Sequence, residues 1–213
     1  MATTAPSTLF GRVTTHDGEG ASPMLRAASV VLMAGLTAAA AQISVPLPFT
    51  QVPFTFQPMV VLLGGLALGP RLGAAAQVLY LLAGVAGLPV FAASATLPQG
   101  MLRLLGPTGG YLLSYPFAAF LVGYLAERGF DRRYLTCVLA MLAGLAMIYL
   151  GGASMLALVT RQVGVSAAGA FRNALLFGVV PFIAADLVKL LIAAGIVPSL
   201  WKLTRAASPD NRR

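Results

Sequence analysis

Apolar residues along this chain come in long runs, and each run is closed by a short cluster of proline, glycine or charge. Most runs approach the ~20 residues that carry a helix through a hydrocarbon layer. The pattern predicts helical spans at residues 24–43, 58–68, 72–88, 108–127, 134–160 and 173–204. The second is short, and the sixth is long enough that it must overhang a bilayer or break near Gly178 to Pro181. Between the first two spans, Pro46, Pro48 and Pro53 alternate with Phe49, Phe54 and Phe56. Prolines at that density preclude a regular helix and favour an extended apolar loop at the membrane edge. A long connection, residues 89–107, carries Arg103 near its end.

Composition narrows this picture to a membrane. Of 213 residues, 58% are apolar and 9% charged, where an ordinary soluble domain has roughly a quarter charged. The expected fold is an all-α membrane protein, a six-helix bundle over residues 24–205, with a disordered tail at 1–23 and a short one at 206–213. The amino-terminal tail is polar and holds the single histidine, His16, beside Asp17 and Glu19. The net charge of +8 does not point to nucleic acid, because the basic residues lie between spans rather than in a stripe with interleaved aromatics. The partner they indicate is the lipid bilayer. With six spans, one side collects Arg12, Arg26, Arg71, Arg128, Arg132, Arg133, Lys202, Arg205, Arg212 and Arg213, and the other only Arg103, Arg161 and Arg172. That asymmetry predicts both termini on the cytoplasmic side. Cys137 is alone, which excludes an intrachain disulfide.

Candidate chemistry is sparse. Asp186 and Lys189 lie i, i+3 within the sixth apolar run, each costing roughly 2.5–3.5 kcal/mol at bilayer depth. Either they neutralise one another and hold helices together, or they face a cavity filled by water or ligand. Gly106-Pro-Thr-Gly-Gly-Tyr111 forms a turn opening the fourth span, in which Thr108, Gly109 and Gly110 allow close backbone approach to a ligand or a neighbouring helix. Tyr111 and Tyr115 share a face at i, i+4, as do Gln77 and Tyr80 at i, i+3; packing accounts for either pair as well as ligand contact does. On the first span Ala34, Gly35, Ala38 and Ala39 place small residues at four-residue spacing, suited to close helix contact within the chain or with a partner. No nucleophile with a base, no HExxH and no P-loop is present, so no enzyme is expected and any pumping needs a partner.

Several segments, in order and spacing, carry a resemblance. They are Gln42-Ile-Ser-Val-Pro-Leu-Pro-Phe-Thr-Gln-Val-Pro-Phe-Thr-Phe-Gln57, Leu68-Gly-Pro-Arg-Leu-Gly73, Tyr80-Leu-Leu-Ala-Gly84 with Gly87-Leu-Pro-Val-Phe91, the Gly106–Tyr111 turn, and Pro181-Phe to Asp186-Leu-Val-Lys189. Together they resemble the BioY family, biotin-specific substrate-binding (S) components of energy-coupling factor transporters, over about residues 24–202. The resemblance implies a six-helix S-component fold in a bacterial plasma membrane that binds biotin near the extracytoplasmic face. It also implies docking on a transmembrane coupling subunit driven by two ABC-type ATPases, although some members are thought to work without a dedicated module. Biotin enters as transported ligand, and no cofactor is implied. In this reading Asp186 accepts from the ureido N–H groups and Lys189 binds the ureido oxygen or the valerate carboxylate. Tyr111, Tyr80 and Phe91 wall the thiophane ring, Gly109 and Gly110 let the loop close, and Thr108 and Gln77 complete the set. Ala34 and Ala38 match the family's docking motif. Where members often carry a glycine-rich stretch, this chain reads Ala92-Ala-Ser-Ala-Thr-Leu-Pro-Gln-Gly-Met101. An S component for a different vitamin is the rival within the same class.

Overall fold

The structure, a computed structural model, describes residues 8–14, 21–94 and 97–206. It opens with a short helix α1 (Leu9–Thr14), followed by α2 (Pro23–Gln42), which starts where the Ser22 hydroxyl accepts from the Leu25 N–H and Pro23 fixes the first turn. Strands β1 (Ser44–Val45) and β2 (Phe54–Thr55) pair antiparallel, Ser44 opposite Thr55, and pin both ends of the proline-rich strap. Next come α3 (Gln57–Leu68) and α4 (Pro70–Val85), separated by Gly69 at φ +83°, a conformation that side chains resist. Then follow α5 (Met101–Leu105), α6 (Gly109–Glu127), a single 3₁₀ turn at Phe130–Arg132, α7 (Tyr134–Gln162), α8 (Ala167–Gly178), α9 (Val180–Ala193) and α10 (Ile196–Ala206).

Among the described residues, four stretches are long and apolar enough to cross a membrane: Pro23–Gln42, Gly109–Glu127, Tyr134–Gln162 and Ala167–Leu203. The last is not one rod. It breaks at Val179, ahead of Pro181, and again after Ala193. The central layer is α3, α4, α6 and α7, brought close by residues without side chains. A Cβ on Gly65 would meet the Ala119 backbone at 2.5 Å, and one on Gly73 would meet the Gly65 Cα at 3.0 Å. Val61, Leu62, Leu66, Ala118, Val122, Met141 and Ile148 fill the core between these helices.

Four expectations change. The amino-terminal segment is not wholly a tail, because Leu9–Thr14 is helical and Thr8 and Leu9 are buried. His16, Asp17 and Glu19 lie outside the described residues, as do 207–213. The connection 89–107 contains α5, and the proline-rich loop carries a two-rung hairpin. The final span begins earlier than expected, at Ala167, where the Ser166 hydroxyl accepts from the Gly169 N–H.

The bundle has two chemically distinct ends. The Gln42 amide donates to the Pro89 carbonyl, so α2 and α4 finish together, beside the strap. At the far end Trp201 of α10 donates to the Asp131 carboxylate at 2.5 Å, near Arg132.

Candidate functional site

Asp186 and Lys189 fall on the inward face of α9, and both are buried. The Lys189 ammonium lies 2.5 Å from Asp186 Oδ1 and donates to the Thr55 carbonyl at 2.7 Å. It also sits 4.0 Å from the Phe54 ring centroid and 5.3 Å from that of Phe56. The Tyr149 hydroxyl, from α7, donates to Asp186 Oδ2 at 2.6 Å. Each carboxylate oxygen therefore has one partner, and a carboxylate offers about four acceptor sites. The charges are compensated by this network, and acceptor capacity remains on Asp186.

Asp186 also borders a cavity. Strap residues Val52, Pro53 and Thr55, the α3 start at Gln57 and Pro58, and Tyr111, Leu112 and Tyr115 of α6 form much of its wall. Ile148, Tyr149, Phe182, Phe91, Ala92, Arg103 and Thr108 complete it. Mostly apolar walls with a few polar groups are the lining of a small-molecule site.

Arg103 is the charged residue sequence reasoning left without a role. It is only 2% exposed. Two of its five N–H donors go to carbonyls, Nε to Pro98 at 2.8 Å and Nη2 to Ala92 at 2.9 Å, which tie α5 to the loop behind it. Burial pulls its pKa below the ordinary guanidinium value, a cost that an anionic guest in the cavity would offset. Thr108 Oγ1 is buried without a partner among the described residues.

Of the expected site residues, Asp186, Tyr111, Thr108 and Phe91 line the cavity. The Tyr111 hydroxyl is anchored on the Gly178 carbonyl at 2.7 Å, at the break between α8 and α9. Tyr80 stands one layer back, edge-on to Phe91 with centroids 5.6 Å apart, its hydroxyl accepting from the Gln57 amide at 2.7 Å. Gln77 is farther away, donating to the Thr37 hydroxyl of α2 at 3.2 Å. Gly109 and Gly110 face protein rather than cavity: a Cβ on the first would strike Leu104 of α5 and one on the second Gly151 of α7. Lys189 borders a smaller cleft with Pro58, Met59 and Leu62 and does not line the main cavity. Ala34 is 8% exposed and lies in the core, with Ala38 packed half-buried beside it. Of the four small residues Ala34, Gly35, Ala38 and Ala39, the two that are exposed are Gly35 and Ala39.

Tyr149, Gln57, Thr55 and Arg103 are the contributors the sequence did not single out. A hydroxyl within the apolar α7 run and a lone arginine in the long connection were the available signals.

Comparison with known proteins agrees with this architecture. The model of the BioY family matches residues 13–206. A probable biotin transporter BioY of Pyrococcus horikoshii is 42% identical over 171 residues, covering 80% of this chain and 93% of that protein. The biotin transporter BioY of Thermotoga maritima is 37% identical over 159 residues, covering 75% and 86%. In three dimensions the chain is similar to the crystal structure of an S-component for biotin from an ECF-type ABC transporter, with a TM-score of 0.68 at 23% identity over 83% of this chain and 90% of that one. On the family match and on the identity shared with these relatives, the chain belongs to the BioY family.

Proposed function

We propose that this protein is a biotin transporter subunit, which captures biotin in the cavity beneath the strap and delivers it across a bacterial plasma membrane. The observation that carries the reading is one apolar cavity bordered by a buried acceptor, Asp186, and a buried cation, Arg103. Biotin has a ureido ring with two N–H donors, an apolar thiophane ring and a valerate carboxylate. Asp186, held by Lys189 and Tyr149, accepts from the ureido N–H groups, where a hydrogen bond to a charged group contributes about 1.5–3 kcal/mol. Tyr111, Tyr115, Phe91 and Phe182 enclose the thiophane ring. Arg103 takes the carboxylate, with Thr108 donating beside it. Lys189 acts through Asp186, since two of its three donors are engaged by Asp186 and the Thr55 carbonyl and it does not line the main cavity.

In the membrane, α2, α3, α4, α6, α7 and the segmented α8–α10 run make six passes, with both termini cytoplasmic and the strap extracytoplasmic. The basic residues support this orientation, because Arg71, Arg128, Arg132 and Arg133 gather at the end away from the strap. Energy comes from a transmembrane coupling subunit and ABC-type ATPases, and the outward face of α2 with Gly35 and Ala39 is the surface offered to the coupling subunit.

Titration of labelled biotin, thiamine and riboflavin into the detergent-purified protein tests the reading. Biotin alone should bind, and Asp186→Ala and Arg103→Gln should each weaken it at least about tenfold. Preference for another vitamin would replace the ligand, and full biotin affinity in both variants would overturn the site.

A further inference from the structure

The turn between α6 and α7 holds an open groove lined by Glu127, Arg128, Gly129, Phe130, Arg132, Arg133 and Thr136. Its three guanidiniums are exposed, and none has a carboxylate within 4.0 Å among the described residues. Two of them are oriented by aromatic rings instead. Arg128 lies 3.4 Å above the Tyr124 ring and donates to its hydroxyl, and Arg132 lies 4.8 Å above the Trp201 ring. A cation placed on a ring keeps its full charge, whereas one paired with Asp or Glu does not. The Glu127 carboxylate is the one acidic group on the groove wall, leaving an excess of positive charge.

A second feature leads into this groove. Leu113, Phe117, Phe120 and Tyr124 follow one another at i, i+4, i+7 and i+11 on α6, and are 43%, 66%, 48% and 42% exposed. The stripe ends at Arg128, one turn beyond Tyr124. Phe120 and Tyr124 stack, with centroids 6.4 Å apart and an interplanar angle of 15°. An apolar track along an exposed helix face that runs into three guanidiniums in excess over one carboxylate fits one kind of molecule better than a free anion or an acidic protein patch. That molecule has a phosphate at one end and hydrocarbon at the other.

We propose that this groove binds an anionic phospholipid, its phosphate among Arg128, Arg132 and Arg133 and its acyl chain along Leu113, Phe117 and Phe120. The site lies at the end of the bundle away from the strap and shares no residue with the cavity. It therefore stands whether or not biotin is the ligand.

Native mass spectrometry of the whole chain, incubated with equal amounts of phosphatidylglycerol and phosphatidylcholine, tests it. The protein should retain phosphatidylglycerol selectively, and each arginine removed from Arg128→Gln, Arg132→Gln and Arg133→Gln should lower that selectivity about fivefold. The variant pair Arg161→Gln and Arg172→Gln, at the other end, should keep it. Biotin affinity should be unchanged in the groove variants, which shows that they remain folded. Millimolar inorganic phosphate should not displace the lipid; displacement would reduce the site to a simple anion site and overturn the proposal. Equal retention of both lipids would overturn it as well. So would selectivity that survives loss of all three arginines, which would leave the groove to a protein partner.

Discussion

An isolated charge in hydrocarbon is expensive, and α9 carries two within one turn. What makes them tolerable is the number of fixed partners: a hydroxyl from α7, a carbonyl from the strap and two phenyl faces, besides the pair itself. Tyr149→Phe should therefore cost about 1.5–3 kcal/mol of stability, the worth of a hydrogen bond to a charged group, read as a lower unfolding midpoint in detergent. It should also weaken biotin binding, since one carboxylate oxygen loses its positioning donor. A second buried acid, Asp131, gives a separate pH signature outside the spans. Burial raises its pKa above the ordinary carboxylate value, against the opposing hydrogen bond from Trp201 and the nearby Arg132. The folded protein then holds this proton more tightly than the unfolded chain does. Its contribution to stability is greatest below the unfolded value near 3.8 and falls as pH rises through the folded one. Thermal midpoints measured from pH 4 to 7, on the order of the carboxylate range, should show a decline with rising pH that Asp131→Asn reduces.

Among the elements, the strap and the α6–α7 pair control the cavity most directly. The Thr50 hydroxyl donates to the Phe177 carbonyl at 2.7 Å, joining the strap tip to α8. Thr50→Val removes that link while keeping the shape, so biotin should dissociate roughly fivefold faster, the effect of one ordinary hydrogen bond, in a stopped-flow chase. On α7, a Cβ at Gly152 would run into the Tyr111 ring. Gly152→Ala should push that ring from the cavity wall and weaken biotin binding more than it lowers the melting temperature. The apolar runs and their Pro and Gly boundaries were readable from sequence because they follow from local chemistry: Gly69 before Pro70, and Gly178 before Pro181. Asp186 was readable as a candidate because a charge in an apolar run stands out, whereas Tyr111, Thr108 and Phe91 joined it through the family resemblance; all four border the cavity. Tyr149 did not stand out, since its meaning depends on Asp186, 37 residues away in sequence. Arg103 looked like a loop charge because burial of a connection depends on what packs over it. Gly109 and Gly110 show the opposite limit: their spacing suits a ligand or a helix neighbour equally, and the fold places helices against both.

At the scale of the molecule, the proposed orientation in the bilayer rests on the charge asymmetry between the two ends. In a Cys137→Ala background, Arg161→Cys should react with an impermeant maleimide on intact cells, whereas Arg133→Cys should react only after permeabilisation. The reverse pattern would invert the topology. The interior of the bundle is shaped by the 12 residues of α3. At 1.5 Å per residue that helix reaches about 18 Å, well short of a ~30 Å hydrocarbon layer. Its first residues, Gln57 and Pro58, form part of the floor of the void, and the strap roofs the column where further turns would have stood. The void occupies the column that a longer α3 would fill, so its depth is governed by where one helix begins. Extending α3 upward by a turn would plug the vessel, and starting it a turn later would deepen it, with every other wall left in place.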